Sequence, residues 1–168
     1  MSPHLKPGWY RHHRLPHIDA SGLLQHIVLR GGSGIDLVTS GAARLFVRGL
    51  LADEATGTVL MAWCVMPDHA HVACHVPDGM RMADAVRIWK ARVTRAWSGA
   101  PASPFEPGYF DRFCRNRHQA DRLLQYIEYN PVDAGLVRTP MDWRWSSAWW
   151  RAQGLWTPDW SRLPVFPN

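Results

Sequence analysis

The chain has 168 residues, 46% of them hydrophobic, which suits one domain with a buried core. No apolar run reaches the roughly 18 residues of a membrane-spanning helix, and the N-terminus lacks a signal peptide's apolar segment, so we expect no membrane partner. The net charge of +5 favours nucleic acid or another acidic ligand. The three cysteines include no CxxC pair, which argues against a disulfide framework and indicates a reducing, cytoplasmic location.

The chain divides into three predicted regions. Residues 1–21 are a basic arm interrupted by three prolines, residues 22–150 are the folded domain, and residues 151–168 are a tail containing Pro and Trp. We expect the arm to be extended, either as a disordered tail or as a nucleic-acid contact. Its candidate DNA contacts are Arg11 and Arg14.

The folded domain shows alternating strand and helix patterns. Pro131 disfavours helical geometry at the preceding residue, so we expect the last helix to end or kink at Asn130. The order β-α-β-β-α-β-α predicts an α+β fold, an antiparallel sheet with helices on one or both faces. The aromatic segment 142–150 should pack back on the core. Predicted strands cover residues 23–30, 58–66, 69–76 and 109–115, and predicted helices cover 35–51, 80–97 and 116–130.

The helix predicted over residues 80–97 has the clearest amphipathic pattern. Its apolar residues recur every three or four positions and leave Arg87, Lys90 and Arg95 mostly off the apolar stripe. These basic side chains form either a solvated face or a face that contacts phosphates, and both interpretations stay open.

A pair of histidines follows the break Met66-Pro67-Asp68 between two apolar, β-prone runs. In a strand, His69 and His71 would project from the same face, where two imidazoles can bind a metal ion. His75 lies four residues further and is an alternative ligand. Asp68 is a candidate to orient one histidine, although an Asp in a turn is the default interpretation. His26, in the first strand, is predicted to be structural.

Tyr126 and Asn130 lie one turn apart on a single helix face. If that face covers the histidine strand, two imidazoles, an amide oxygen and a phenol converge. Such a set suits Mn²⁺ or Mg²⁺, or adventitious Zn²⁺ or Ni²⁺, and leaves positions for phosphate oxygens. Tyr126 could then attack phosphorus and form a covalent 5′-phosphotyrosyl link. Tyr129 is a rival nucleophile, and the sequence does not identify the base that deprotonates the phenol.

Four blocks together resemble a known family. The chain is similar in these blocks to the REP-associated tyrosine transposases, which are HUH single-strand endonucleases with one catalytic tyrosine. The similarity extends from about Arg14 to about Trp149. The blocks are Met66–His71, Tyr109–Arg112, Tyr126–Val137 and Trp143–Ala148.

The resemblance implies a ferredoxin-like α+β fold with His69 and His71 as metal ligands, Asn130 as the third ligand and Tyr126 as the nucleophile. It implies cleavage and rejoining of single-stranded DNA near palindromic hairpins, with Mg²⁺ or Mn²⁺ and no nucleotide hydrolysis. Asp133 departs from the family, which commonly carries a basic residue there, so one plausible DNA contact is absent.

Several alternatives remain at the level of sequence. Arg112 and Arg115 lie near the second block and are further candidates for phosphate contacts. A non-cleaving regulator that binds hairpin DNA or RNA is the main alternative function. A metal-dependent hydrolase that uses water in place of tyrosine is another. The protein is expected to be a monomer or a homodimer.

Overall fold

The computed structural model describes residues 23–55, 57–99, 103–162 and 166. No helix in these ranges is long and apolar enough to cross a membrane. Short 3₁₀ turns occupy Pro140–Asp142 and Trp160–Arg162. In chain order the elements are β1 (Gln25–Arg30), α1 (Ala42–Glu54), β2 (Val59–Val65), β3 (His69–His75), α2 (Met82–Ala96), β4 (Phe110–Phe113), α3 (Arg117–Asp133) and α4 (Ser147–Ala152).

The four strands form one antiparallel sheet in the order β2-β3-β1-β4. The β-α-β-β-α-β succession with β1 beside β3 is the ferredoxin-like arrangement, so the predicted α+β class is confirmed. A tight turn joins β2 to β3, closed by the Met66 N–H donating to the His69 carbonyl at 2.7 Å. The two strands predicted on either side of Pro67 and Asp68 therefore form a hairpin.

The sheet separates two apolar cores because successive residues of a strand face opposite sides. One core packs α1 and α2 against the sheet through large side chains that include Phe46, Trp63 and Trp89. The other packs α3 against the opposite face and includes Met61 and Ile127. The odd-numbered residues of β3 lie beneath α3, and its even-numbered residues Ala70, Val72 and Cys74 belong to the core under α1 and α2.

Helix α1 begins at Ala42, seven residues later than predicted. The Asp36 carboxylate accepts hydrogen bonds from the Val38 and Thr39 N–H groups, at 2.8 and 3.0 Å, and these turn contacts compete with helix formation. Gly41 then takes a left-handed φ of 85° immediately before the helix. The Asp36 turn therefore moves the start of α1 to Ala42, although the apolar periodicity alone predicts an earlier start.

Helix α3 continues through Pro131 to Asp133, so the prediction that it ends or kinks at Asn130 is wrong in its boundary. Proline removes a single backbone donor, and near the end of a helix that loss is small. Beyond the helix the Leu136 N–H donates to the Pro131 carbonyl at 2.9 Å, which helps close its C-terminus.

The aromatic segment after α3 packs on the outer edge of β2. The Val65 N–H donates to the Trp145 carbonyl at 2.9 Å, and the Trp143 indole N–H donates to the Val65 carbonyl at 2.9 Å. Helix α4 runs across the predicted boundary at residue 150, and Trp156 is buried in the core beneath α1 and α2. The expected packing of this segment is confirmed, and part of the predicted tail belongs to the folded domain.

A buried carboxylate joins α1, α2 and the start of β2. Asp53 is 1% exposed and accepts hydrogen bonds from the Thr58 hydroxyl at 2.8 Å, the Trp89 indole at 2.9 Å and the Arg92 guanidinium at 3.1 Å. Buried donors that lose their acceptor keep their desolvation cost. This carboxylate therefore stabilises the layer of helices opposite α3.

Replacing Asp53 with alanine is expected to lower the free energy of unfolding by about 3 kcal/mol, because three donors lose one shared acceptor. For a chain of this size the melting temperature should fall by roughly 6–12 °C. Thermal unfolding followed by circular dichroism measures the effect. Asp84→Ala, which removes an exposed carboxylate on α2, is the matched control and should change the melting temperature much less. Equal effects of the two substitutions would contradict the assigned role.

Candidate active site

The strand histidines form a continuous row of side chains with their neighbours. His69 Nε2 lies 2.9 Å from His71 Nε2, and the far nitrogen of each ring has its own partner. His69 Nδ1 is 2.6 Å from Asp68 Oδ1, and His71 Nδ1 is 2.9 Å from His26 Nε2. The row Asp68–His69–His71–His26 therefore runs from the β2–β3 turn across β3 to β1.

Burial keeps this row uncharged at its inner end. Desolvation lowers the pKa of His71 well below its usual value, and the neighbouring His69 and His26 rings lower it further. Burial, with the Arg112 guanidinium and His69 as smaller causes, lowers the pKa of His26 to about 3. Neutral imidazoles retain a lone pair on one nitrogen, which is the form that binds metal ions.

Helix α3 places two predicted site residues over this row. The Tyr126 ring meets the His71 ring edge-on, with centroids 5.5 Å apart, and lies 6.2 Å from the His26 ring. Asn130 is buried, donates from Nδ2 to the Tyr126 carbonyl at 3.1 Å, and forms a side-chain hydrogen bond with His71 that opposes the lowering of its pKa. The structure therefore brings together Tyr126, Asn130, His69 and His71.

Three of these groups, His69, His71 and Asn130, carry nitrogen or oxygen donors of the kind that bind divalent ions. Among the described residues no group of three His, Cys, Asp or Glu side chains forms a metal site. A neighbouring donor of another type is the amide oxygen of Asn130, whose nitrogen already donates to the Tyr126 carbonyl. Two ligands at right angles and about 2.1 Å from an ion lie about 3.0 Å apart. The 2.9 Å between the two Nε2 atoms fits that separation.

The alternatives weighed from the sequence lie elsewhere. His75 Nε2 is 2.6 Å from the Arg162 carbonyl oxygen, and four residues along a strand place it about 13 Å from His71. Tyr129 is 45% exposed and does not line the cavity at the histidines, whereas Tyr126 does. The geometry favours His69 with His71 over His75, and Tyr126 over Tyr129.

A cavity of about 320 Å³ opens from the histidines toward the end of β1. His26, His69, His71 and Tyr126 line one end, and the loops 31–35 and 106–110 line the other. The first of these loops contacts the β2–β3 turn, where the Gly31 N–H donates to the Asp68 carbonyl at 2.7 Å. A Cβ at Gly31 would lie 3.1 Å from that oxygen, so this position favours glycine. The cavity can hold an extended segment of a polar ligand beside the histidines.

Three of the basic residues predicted to contact DNA lie on α2, across the sheet from Tyr126. The structure does not bring Arg87, Lys90 or Arg95 to the histidines. The amphipathic pattern of a helix shows which of its sides is buried, but not which face of the sheet it covers. Arg87 pairs with Asp84 at 3.5 Å. Their assignment as DNA contacts stays a prediction.

The Lys90 ammonium donates to two backbone carbonyls, those of Glu106, at 2.6 Å, and Gly108. Burial lowers its pKa. Lys90 therefore supports the loop that walls the cavity, a role the sequence did not indicate.

The other basic candidates differ in their placement. Arg112 on β4 is paired with His26 on β1, and directly paired residues of neighbouring strands share a face. Its side chain therefore lies on the face that carries the histidines. Arg115 follows β4, with its guanidinium 5.6 Å from the centre of the Phe113 ring. Arg11 and Arg14 lie outside the described residues.

Two residues that the sequence did not single out also contribute to the site. Arg30 pairs with His69 across β1 and β3 and lines the cavity, so a positive side chain lies beside the two histidines of β3. Glu128 on α3 accepts two hydrogen bonds from Arg151, both at 2.7 Å, and one from Ser147 at 2.7 Å. This contact fastens the helix of Tyr126 to α4. Strand alternation places Arg30 on the same face of β1 as His26, so the sequence could have indicated its position. Nothing in the sequence indicates the contact of Glu128 with Arg151 and Ser147.

No protein-family model matches the chain. The REP-associated tyrosine transposase of Escherichia coli (strain K12) is 29% identical over 102 residues, which are 60% of this chain and 61% of that protein. The match thus spans less than two thirds of that relative.

A solved REP-associated tyrosine transposase bound to a REP hairpin shares 23% identity and superposes with a TM-score of 0.70 over 87% of this chain and 89% of the other. A candidate transposase from Deinococcus radiodurans R1 shares 20% identity over 63% of this chain and 88% of its own, with a TM-score of 0.42 that carries no argument. The chain resembles REP-associated tyrosine transposases in sequence and has their fold, which confirms the resemblance drawn from its motifs.

Proposed function

We propose that this chain is a metal-dependent endonuclease and strand transferase that acts on single-stranded DNA near palindromic hairpins. The observation that carries the proposal is the position of the Tyr126 ring against His71, beside the paired Nε2 atoms of His69 and His71. The similar protein solved with a REP hairpin supports hairpin DNA as the substrate class. One chain supplies all four groups.

The surroundings of the site suit a DNA strand. Arg30 and Arg112 lie on the same sheet face as the histidines, where guanidinium groups can contact phosphates. The loops 31–35 and 106–110 leave an open cavity between the sheet and solvent. A strand that enters this cavity would bring a phosphodiester to Tyr126.

The proposed reaction is a transesterification in which Tyr126 is the nucleophile. Mg²⁺ or Mn²⁺, held by His69, His71 and Asn130, would supply Lewis-acid polarisation of the phosphodiester. The Tyr126 phenol loses its proton and its oxygen attacks phosphorus, while the bond from phosphorus to the 3′ oxygen breaks. The 3′ oxygen takes up a proton and leaves as a hydroxyl, and the 5′ phosphate stays on the tyrosine.

The phosphotyrosyl ester retains the energy of the broken bond. Attack by a 3′ hydroxyl on the same phosphorus reverses the step and joins that strand to the 5′ phosphate, with the Tyr126 phenol as the leaving group. Cleavage and rejoining therefore need no nucleotide hydrolysis. His69, held by Asp68, and His71, held by His26, would keep the ligand nitrogens in position throughout.

A covalent-trapping assay tests the proposal. The protein is incubated with Mn²⁺ and single-stranded hairpin DNA labelled at either the 5′ or the 3′ end, and the products are separated on a denaturing gel. We expect only the 3′-labelled DNA to migrate with the protein, because the 5′ phosphate of the downstream strand stays attached, and we expect mass spectrometry to locate it on Tyr126. Hairpin binding without an adduct would support the non-cleaving regulator. Cleavage without an adduct would support a hydrolase that uses water.

A further inference from the structure

In the reaction proposed above, the innermost side chain of the histidine row only holds the His71 ring. His26 is 4% exposed, and its Nε2 lies 2.9 Å from His71 Nδ1. A neutral imidazole carries one N–H and one lone pair. The partner of His71 Nδ1 therefore determines which nitrogen of His71 keeps a lone pair.

The contacts restrict the protons of the row. Asp68 accepts at His69 Nδ1, so His69 carries its proton there and presents a lone pair at Nε2. When His69 Nε2 accepts and no ion is bound, the 2.9 Å contact between the two Nε2 atoms is a hydrogen bond donated by His71. His71 Nδ1 is then an acceptor, and His26 donates to it from Nε2.

An ion between the two Nε2 atoms requires the opposite arrangement. Both Nε2 lone pairs must face the ion, so the proton of His71 moves to Nδ1 and is donated to His26 Nε2. His26 then carries its own proton on Nδ1. The total number of protons on the two rings is the same with and without the ion. His26 Nε2 donates to His71 Nδ1 when no ion is bound and accepts from it when an ion is bound.

We propose that His26 is a positioning residue that accepts the Nδ1 proton of ion-bound His71 and thereby leaves the Nε2 lone pair of His71 as a metal ligand. The proposal rests on the proposed function, because it concerns the same metal site. An apolar residue at this position would leave the Nδ1 proton of ion-bound His71 buried without an acceptor. A glutamine could accept that hydrogen bond through its amide oxygen.

Titration with Mn²⁺ in the absence of DNA, followed by the electron paramagnetic resonance signal of free Mn²⁺, measures the effect on the folded protein. His26→Leu should weaken Mn²⁺ binding by about 10- to 100-fold, the usual range for loss of a partner behind a metal-binding histidine. His26→Gln should stay close to the wild type. His75→Leu is the matched control, since this histidine contacts the Arg162 carbonyl, and it should bind Mn²⁺ as the wild type does.

A second measurement applies even if His26→Leu does not fold. In the wild type, ¹⁵N NMR of the imidazole rings should show the His71 proton on Nδ1 when Mg²⁺ is bound. A proton on His71 Nε2 in that state, or normal Mn²⁺ binding by folded His26→Leu, would overturn the inference. Equal weakening in the Gln and Leu variants would also overturn it, because ring volume would then be the cause. If the wild type binds neither ion, the metal site of the proposed function fails as well, so the two failures are distinguishable.

Discussion

Tyr126→Phe is expected to abolish the covalent protein–DNA adduct and to lower strand cleavage by at least about 1,000-fold, the scale on which removal of a catalytic nucleophile acts. The substitution deletes one oxygen and leaves the ring, which packs edge-on against His71 and His26. The histidine row and the cavity should keep their shape, so binding of hairpin DNA should change little. Denaturing gels measure the adduct, and a filter-binding assay measures DNA affinity.

Tyr129→Phe is the matched control for this experiment. It removes the same atom from the same helix, three residues away, at a side chain that is 45% exposed. We expect its adduct yield and cleavage rate to equal those of the wild type. Loss of the adduct in Tyr129→Phe with retention in Tyr126→Phe would reassign the nucleophile. Retention of the adduct in both single variants would exclude a mechanism that depends on either tyrosine alone.

His71→Ala is expected to lower Mn²⁺-dependent cleavage by at least about 100-fold and to weaken Mn²⁺ binding in the same preparation. The substitution removes one of the two Nε2 atoms that lie 2.9 Å apart, and it also removes the ring against which Tyr126 packs. His71 is fully buried, so circular dichroism and a melting curve must accompany the activity assay. Raising the Mn²⁺ concentration should restore little of the rate.

His75→Ala serves as the control because it changes a histidine of the same strand that is bonded to the Arg162 carbonyl. It should retain both Mn²⁺ binding and cleavage. A folded His71→Ala protein that binds Mn²⁺ with wild-type affinity would exclude the assigned ligand pair. Loss of binding in His75→Ala with retention in His71→Ala would instead favour the alternative ligand.

The order of strands and helices was predictable because each element carries its own periodicity. The clearest departures lie at boundaries. Asp36 forms a turn with the backbone ahead of α1, and Pro131 lies near enough to the end of α3 to be tolerated. The Asp36 turn moves the start of α1 to Ala42, and α3 extends to Asp133 despite the proline. The antiparallel α+β class was unaffected because it depends on the number and order of elements.

Local spacing determined the two residue pairs of the candidate site, but not that they meet. His69 and His71 share a face because strands alternate, and Tyr126 and Asn130 share a face because a helix turn spans four residues. The tertiary structure decided what these pairs meet, because strand pairing and helix layers join residues far apart in the chain. It brought His26 from β1 to His71 and placed α2, with Lys90, on the opposite side of the sheet. No pattern within one element records which face of the sheet that element covers or which residue of a neighbouring strand it opposes.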